Sequence, residues 1–329
     1  MKQFWKDAGI ALTMGLIVPA VLLTAVISFQ KMKTDPAAAT APIFVTEFAG
    51  HIQNDSTQRD ISVLAEDGGV VRLPMNEYLT CVVLAEMPVS FEEEALKAQS
   101  VVARTYAMRA ANGSSKHETA AVCMQPSCCQ AYMTADTYLQ NGGKPEEIQN
   151  IRKIVDSTDG LVLTYEGDLI EATYFSCSGG VTEDAVAVWG TVVPYLQSVE
   201  SPGEEGAKYY MDSVTFSAQD FATALGLGLR GDPAQWFSEV TYTDGDGVDT
   251  MVIGGETFSG TELRKLLSLR STAFTISPEG DSITIHTRGY GHRVGMSQYG
   301  ANAMAVGGST YQEILAHYYQ GAELTMASD

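Results

Sequence analysis

Two predicted helices separated by a proline, within Met75–Asn112, constrain the fold of this chain more than any other feature. Apolar residues recur at helical spacing in the first helix, and Pro88 biases the preceding Met87 out of helical backbone geometry. Glu86 is therefore expected in the last turn. Free carbonyl groups there and apolar neighbours such as Leu84 both raise the pKa of a carboxyl group. Because a raised pKa suits a general acid, Glu86 is a candidate catalytic acid. An incidental surface glutamate ahead of a core helix is the alternative.

The second helix is predicted to begin with a capping box, in which Ser90 and Glu93 bond each other's backbone amides. Gly113 supplies its stop signal. Apolar residues form two adjacent stripes, so this helix is expected to be mostly buried. Arg104 and Tyr106 lie on it, and buried polar side chains need partners. They therefore either pair with polar groups in the core or face a cavity.

The charge of the chain restricts the classes of partner. A formal charge of -20 over 329 residues argues against nucleic acid and anionic surfaces, because both require a basic footprint. A neutral polymer fits better. The length is near the upper limit for one undivided domain. The predicted fold class is α+β, a mixed helix and strand core with a smaller inserted α+β lobe at about 203–282.

The N-terminal region contains a long apolar segment. Ala8–Phe29 runs 22 residues without a charge, close to the roughly 20 residues that cross a bilayer core. We expect a single transmembrane helix, with a cytoplasmic stub and anchor at 1–33, a linker at 34–42 and an extracytoplasmic catalytic domain at 43–329. A cleaved signal peptide is the alternative, since an alanine-rich segment follows the span.

A histidine and three cysteines crowd into a short segment after the second helix. Zinc is commonly bound by histidine nitrogen and cysteine thiolate together, and His117, Cys123 and Cys129 offer three such ligands. A disulfide is the rival interpretation, because Cys123 can bridge Cys128 or Cys129 in an oxidising compartment. A structural zinc site is the prediction.

Two glycine-rich loops are candidates for ligand binding. Ser176–Gly180 combines small hydroxyl residues with glycines whose backbone can approach a ligand closely. Arg288–Gly300 needs a tight fold at its glycines, and it carries His292, Ser297 and Gln298, which can hydrogen-bond to hydroxyl and amide groups. An ordinary turn is the alternative for the first loop.

Four motifs occur in a fixed order: EYLxxVVxxEMP around Glu86, the ALKAQSVVARTYA helix, YFSCSGG and GYGHRVGMSQYGA. Together they resemble the stage II sporulation protein D family of bacterial peptidoglycan lytic transglycosylases. The resemblance implies that Glu86 is the catalytic acid and that zinc is bound by His117, Cys123 and Cys129, as in some family members. Arg293 departs from the family pattern, since glycine is usual there.

The resemblance also implies a reaction and a setting. Hydrolytic glycosidases use two carboxylates, whereas here Glu86 would protonate the bridging oxygen and then deprotonate the sugar's own 6-hydroxyl, which leaves a 1,6-anhydro end. The setting would be engulfment, in the septal space between mother cell and forespore, with the amidase stage II sporulation protein P and the membrane protein stage II sporulation protein M as partners. The candidates for lining the glycan groove are Arg104, Tyr106, Tyr174, Ser176, Ser178, His292, Ser297 and Gln298.

The acidic charge suggests which glycan is preferred. Stem peptides carry carboxylates that an acidic protein repels, so we expect a preference for glycan stripped of its peptides. Two other functions stay open: a zinc-dependent peptidoglycan amidase or peptidase, and a non-catalytic glycan-binding scaffold. Their products differ, since the amidase releases a stem peptide and the scaffold releases nothing.

Overall fold

The computed structural model of the chain describes residues 59–327. None of the helices in this range is both long and apolar enough to cross a membrane. The span predicted at Ala8–Phe29 and the linker at 34–42 lie outside the described residues. The α+β part of the predicted fold class holds. The transmembrane helix and the single-pass membrane location are corrected, because the described structure contains no such helix.

A three-stranded sheet and two central helices form the first half of the described chain. Strands β1 and β2 form an antiparallel hairpin, and β3 joins β1 in parallel, which gives the order β2-β1-β3. The elements are β1 (Asp60–Leu64), β2 (Val70–Pro74), α1 (Met75–Glu86), α2 (Glu93–Arg109), β3 (Val122–Cys123), α3 (Ala135–Gln140) and α4 (Pro145–Ser157).

Helices α1 and α2 lie at the centre of the larger hydrophobic core. Most side chains of both helices are buried. Helix α1 ends at Glu86 because Met87 is extended, at φ -128°, directly before Pro88. Helix α2 ends in an irregular turn, where Gly113 has φ 103°. Ala85 and Glu86, at the C-terminal end of α1, are half-buried, whereas Tyr78–Leu84 before them are buried.

Parallel pairing of two short strands brings the two glycine-rich loops together. Strand β6 pairs with β13, so that Tyr174 lies opposite Met296 and Phe175 opposite Ser297. Strands β14, β4 and β5 form a separate antiparallel sheet. The elements are β4 (Leu161–Tyr165), β5 (Asp168–Leu169), β6 (Tyr174–Phe175), α5 (Ala185–Trp189), β13 (Met296–Ser297), α8 (Gln298–Val306), α9 (Tyr311–Tyr318) and β14 (Glu323–Met326).

The part of the chain that follows α5 and precedes β13 forms a second hydrophobic core. It packs Phe221, Trp236 and Ile283 with other apolar residues, apart from the larger core. Its two sheets have the strand orders β10-β9-β8 and β11-β12-β7. The predicted lobe boundaries at 203 and 282 stay a prediction. The elements are β7 (Met211–Ser217), α6 (Ala218–Leu225), β8 (Phe237–Tyr242), β9 (Val248–Ile253), β10 (Glu256–Ser259), α7 (Gly260–Leu266), β11 (Phe274–Glu279) and β12 (Ser282–Arg288).

Candidate active site

Glu86 opens onto a pocket of about 520 Å³. Helix α1 forms one wall, the loop before α3 forms another, and the two glycine-rich loops complete it. Among the residues predicted to line a groove, the pocket contains Tyr106, Tyr174, Ser176, His292 and Gln298.

Three donors hold the Glu86 carboxylate in one orientation. The backbone N–H of Ala131 and the hydroxyl of Tyr174 donate to Oε1, at 2.7 Å and 3.0 Å. Gln298 Nε2 donates to Oε2 at 3.3 Å. These donors come from three separate segments of the chain. The carboxylate is therefore fixed by tertiary structure and not by its own helix.

A buried chain of hydrogen bonds supports this arrangement. Tyr78 donates to Gln130 Oε1 at 3.0 Å, and Gln130 Nε2 donates to the Tyr174 hydroxyl at 3.1 Å. Burial, reinforced by the charge of Glu86, raises the pKa of Tyr174 well above its usual value. Tyr174 therefore stays protonated and directs its proton at Glu86.

His292 lies in the pocket as a neutral imidazole. Burial and the nearby Arg264 guanidinium lower its pKa to about 4. Its Nδ1 accepts from the Val294 N–H at 3.1 Å, and its ring packs against Trp189 at a centroid distance of 5.6 Å. A neutral ring between a backbone donor and an aromatic face is suited to contacting a neutral ligand and not to carrying charge.

Arg104 does not reach the pocket. It is buried, at 1% exposure, and donates to the carbonyl oxygens of Val155, Thr158 and Leu161 at 2.6 to 3.2 Å. Val155 lies in the last turn of α4, where carbonyl groups lack helical partners, and Thr158 and Leu161 follow the helix. Of the two alternatives raised by the sequence, pairing with polar groups in the core is the one that the structure contains.

Ser178 and Ser297 are also turned away from the pocket, toward a buried glutamate. Glu204 is 1% exposed, and its Oε2 accepts from the Ser178 amide, the Ser178 hydroxyl and the Gly179 amide at 2.7 to 2.9 Å. Its Oε1 accepts from the hydroxyls of Ser201 and Ser297 at 2.7 Å and 2.5 Å. Both glycine-rich loops are therefore tied to one carboxylate.

A buried ion pair ties the second loop to the segment directly before α5. Arg293 has φ 68°, in the left-handed region, and Nη1 lies 3.1 Å from Glu183 Oε1 with both side chains 1% exposed. Arg293 also donates to the backbone oxygens of Ser178, Val181 and Gly245. The backbone course expected of glycine is kept because the guanidinium finds four acceptors in the core.

The predicted zinc ligands lie together, with a fourth beside them. His117, Cys123, Cys128 and Cys129 each offer one ligand atom within 4.8 Å of the others. His117 Nε2 lies 3.6 Å and 3.4 Å from the sulfurs of Cys128 and Cys129, which are 4.0 Å apart. A tetrahedral zinc site requires about 3.5 Å between nitrogen and sulfur and about 3.8 Å between sulfurs. All five cysteines of the chain are free thiols. The donor set therefore fits zinc.

The cysteine loop and the carboxylate are directly linked. Cys129 is followed by Gln130 and Ala131, which bond Tyr174 and Glu86. Cys128 and Cys129 also line the pocket. An interaction that fixes the thiols therefore also fixes Ala131, which bonds Glu86 directly, and Gln130, which acts on Glu86 through Tyr174.

Several pocket residues were not indicated by the motifs. Lys116, Glu171, Trp189 and Tyr290 line it, and Gln130 supports Tyr174. Tyr290 belongs to the glycine-rich loop Arg288–Gly300, so the loop prediction could have included it. The others lie in segments without pattern, and only the fold brings them to Glu86.

Comparison with known proteins matches residues 66–165 to the family described as Stage II sporulation protein. Stage II sporulation protein D of Bacillus amyloliquefaciens is 38% identical over 324 residues, covering 95% of this chain and 92% of that protein. The same protein of Bacillus subtilis (strain 168) is 36% identical, covering 99% and 97%. The amidase enhancer of Bacillus subtilis (strain 168) is 31% identical, covering 73% of this chain and 39% of that protein.

Proposed function

Because the chain belongs to the stage II sporulation protein D family, and so has a cell-wall role in sporulation, we propose that it is a lytic transglycosylase of peptidoglycan glycan strands. The observation that carries the proposal is the single carboxylate of Glu86, held by three donors in a pocket of about 520 Å³. A pocket of this size accommodates sugar rings.

Glu86 performs both proton transfers in the proposed reaction. As an acid it protonates the bridging oxygen while the bond from C1 of N-acetylmuramic acid to that oxygen breaks. As a carboxylate it then accepts the proton of the same sugar's 6-hydroxyl, whose oxygen bonds to C1. The products are a 1,6-anhydro end and a free hydroxyl on the leaving sugar, and Glu86 returns to its starting protonation state. No water is consumed.

The neighbours of Glu86 support this double role. Tyr174 and Ala131 donate to Oε1, so Oε2 is the oxygen better placed for the proton, with Gln298 as its weaker partner at 3.3 Å. His292 stays neutral and does not compete for a proton at physiological pH, because its pKa is lowered to about 4. Tyr106, Ser176 and Trp189 are proposed to contact the sugar rings.

A second carboxylate in the pocket raises hydrolysis as an alternative reaction. Glu171 lines the same pocket, and a pair of carboxylates is the arrangement of hydrolytic glycosidases. The Glu171 side chain is 46% exposed and its Oε2 lies 3.8 Å from Arg109 Nη2, and among residues 59–327 no donor hydrogen-bonds to it as three do to Glu86. A loosely held, solvent-exposed carboxylate is poorly suited to activating water, so the non-hydrolytic reaction is the proposal.

Zinc is proposed as a structural ion. Four protein ligands, His117, Cys123, Cys128 and Cys129, would close the tetrahedron and leave no open position for water or substrate. This closed set weighs against the zinc amidase or peptidase, which needs an open position. The bound ion would supply a cross-link, and the chain's own contribution is to hold Gln130 and Ala131 beside Glu86.

The substrate is proposed to be glycan stripped of stem peptides. One relative is named an amidase enhancer, which is consistent with enzymes that act on the two parts of peptidoglycan in succession. An amidase, such as stage II sporulation protein P in the same process, would supply that substrate. Engulfment is the proposed stage of sporulation.

Digestion of amidase-treated peptidoglycan in water labelled with heavy oxygen tests the proposal. Mass spectrometry is expected to find 1,6-anhydro ends without label. Glu86→Gln should keep the fold by circular dichroism and lose activity by about 10² to 10⁴-fold, since an amide cannot transfer the proton. Glu171→Gln is the matched control.

Each rival has a distinct product. Labelled reducing ends that disappear in both variants would establish hydrolysis by the carboxylate pair. Released stem peptides would establish an amidase. No product from wild-type protein that binds glycan would establish the scaffold.

A further inference from the structure

A basic and aromatic surface adjoins the pocket. We name it the outer patch, formed by Lys208, Tyr209, Arg270 and Tyr290. The Arg270 guanidinium lies 4.3 Å from the Tyr209 ring centre and 5.1 Å from that of Tyr290. Lys208 Nζ lies 5.0 Å from the Tyr209 ring, and the two tyrosine rings pack edge to face at 5.0 Å. Two cations are thus held against two adjacent rings.

The outer patch is continuous with the site of Glu86 through one residue. Tyr290 belongs to the outer patch and also lines the pocket that contains Glu86. It is 37% exposed, so its ring is accessible to a ligand that leaves the pocket. Arg264 on α7 adds a further positive charge near Tyr290 and His292. A glycan strand that passes Glu86 and continues over Tyr290 would next reach these cations.

Arg270 has capacity for a further acceptor. Its Nε donates to Asp212 at 3.0 Å, and within residues 59–327 no acceptor is hydrogen-bonded to its two terminal nitrogens. The side chain is 39% exposed. A guanidinium with free terminal N–H groups is suited to a carboxylate, because its donors match the two oxygens. Lys208 is exposed and has no carboxylate partner in the same range.

The chain as a whole is strongly acidic, which makes this location informative. With 40 acidic and 20 basic residues, cations gathered beside a pocket indicate an anionic ligand there. The fold brings Lys208, Arg264 and Arg270 together near Tyr290, at the outer end of the pocket, and Lys116 lines the pocket itself.

Glycan chemistry supplies one anion at a fixed distance from the sugar ring. Each muramic acid carries a lactyl group, whose carboxyl is a neutral amide while the stem peptide is attached and a free carboxylate once it is removed. Resting on the proposed function, we propose that the outer patch binds the lactyl carboxylate of a muramic acid in a peptide-free strand. The Tyr290 ring, which lines the pocket as well as the outer patch, then contacts the sugar.

This binding gives a physical reason for choosing stripped strands. An intact strand lacks the lactyl charge and places its peptide over the outer patch. The carboxylates of the peptide lie farther from the ring, on a flexible chain, so they lose more conformational entropy on binding. Discrimination therefore comes from an attraction to the stripped strand as well as from repulsion of the peptides.

Binding of two tetrasaccharides to the inactive Glu86→Gln protein tests the inference by calorimetry. One is the peptide-free GlcNAc-MurNAc repeat, which carries lactyl carboxylates, and the other is chitotetraose, which has none. The charged ligand is expected to bind several-fold more tightly at low salt, with the difference shrinking at high salt. Lys208→Ala is expected to reduce that difference about two- to fivefold and leave chitotetraose binding unchanged.

Lys265→Ala is the matched control, because Lys265 is an exposed lysine on α7 that does not belong to the outer patch. It should leave both affinities as they are. Equal affinity of the Glu86→Gln protein, with its outer patch unaltered, for the two ligands would overturn the inference while leaving the proposed function intact. The same would follow if Lys265→Ala and Lys208→Ala acted alike, since bulk charge would then explain the effect. Failure to bind either ligand would instead count against the proposed function.

Arg270→Met provides the second variant. It should reduce the preference for the charged ligand more than Lys208→Ala does, because the guanidinium can form two hydrogen bonds to a carboxylate. Circular dichroism and a melting curve check that loss of the Asp212 ion pair leaves the fold intact. A folded Arg270→Met protein with an unchanged preference would overturn the inference.

Discussion

Removal of Glu204 should destabilise the protein and misplace both glycine-rich loops. In Glu204→Ala the amides of Ser178 and Gly179 lose their acceptor in a region that water does not reach. A buried donor without a partner costs about 1 to 3 kcal/mol, so two amides cost about 2 to 6 kcal/mol. That is a large fraction of the roughly 5 to 15 kcal/mol that stabilises a typical domain. The hydroxyls contribute less, since Ser201 retains Tyr318 at 2.6 Å.

Glu204→Gln keeps the shape of the side chain and replaces the carboxylate with a neutral amide. The amide oxygen can replace Oε2 and keep three donors, while the NH2 group faces hydroxyls that can rotate to accept. We expect a loss of about 1 to 3 kcal/mol, smaller than for alanine, because charged acceptors bind only modestly better than neutral ones. Urea unfolding followed by circular dichroism measures both variants.

The adjacent glutamate provides the control for this prediction. Glu205 is exposed, so Glu205→Ala should change the free energy of unfolding by less than about 0.5 kcal/mol. If Glu204→Ala were as stable as Glu205→Ala, the carboxylate would not be what holds the loops. Activity provides a second readout, since displaced loops should lower kcat through Gln298, which approaches Glu86 from the same segment.

Three further predictions concern the pH dependence, the metal and the ion pair. The pKa of His292 is about 4 when folded and near 6.5 when unfolded, so the unfolded state binds the proton first as the pH falls. The free energy of unfolding therefore falls as the pH drops from about 6.5 to about 4. His292→Gln should remove up to about 3 kcal/mol of this fall, as measured by urea unfolding at neutral and at acidic pH. Chelation of zinc, or His117→Ala, should lower the melting temperature before cleavage is lost; unchanged stability with activity lost and restored by zinc would favour a catalytic metal. Arg293→Met should cost about 3 to 5 kcal/mol, because Glu183 is left buried and charged, and the double variant with Glu183→Leu should cost less than the single one. A double variant as unstable as the sum of the two single variants would show that the pair is not coupled.

The position of Glu86 was predictable from sequence because its determinants are local. Pro88 restricts the residue before it, and the helix ends where this restriction predicts. The predicted capping box was wrong. Helix α2 begins at Glu93, its N-cap is Glu92 and not Ser90, and no side chain of the cap bonds the first turn. The Glu92 N–H instead donates to Asn302 Oδ1 at 2.8 Å. A partner more than two hundred residues away replaced the local one, and no local pattern reveals such a partner.

The residues predicted to line the groove show the same contrast between local and distant determinants. His292 and Gln298 were predicted because they lie in a glycine-rich loop with hydrogen-bonding side chains, and the structure places both in the pocket. Ser178 and Ser297 also lie in glycine-rich loops, yet their hydroxyls donate to the buried Glu204 and do not face the pocket. Sequence identifies side chains that are able to hydrogen-bond, but it does not show whether a buried acceptor already satisfies them.

Two buried carboxylates, those of Glu204 and Glu183, therefore have a structural role that Glu86 does not share. Glu204 and Glu183 accept from the loops that carry Ser176 and Gln298, and both are 1% exposed, whereas Glu86 opens onto the pocket. Loops rich in glycine lack the side-chain packing that would otherwise select one conformation, and charged acceptors with several donors each provide that selection. Helix α1, which carries Glu86, is fixed by apolar burial, and the two loops are fixed by buried carboxylates. A substitution in the α1 core should therefore lower the stability of the whole domain, while one at Glu204 or Glu183 should also change the geometry around Glu86.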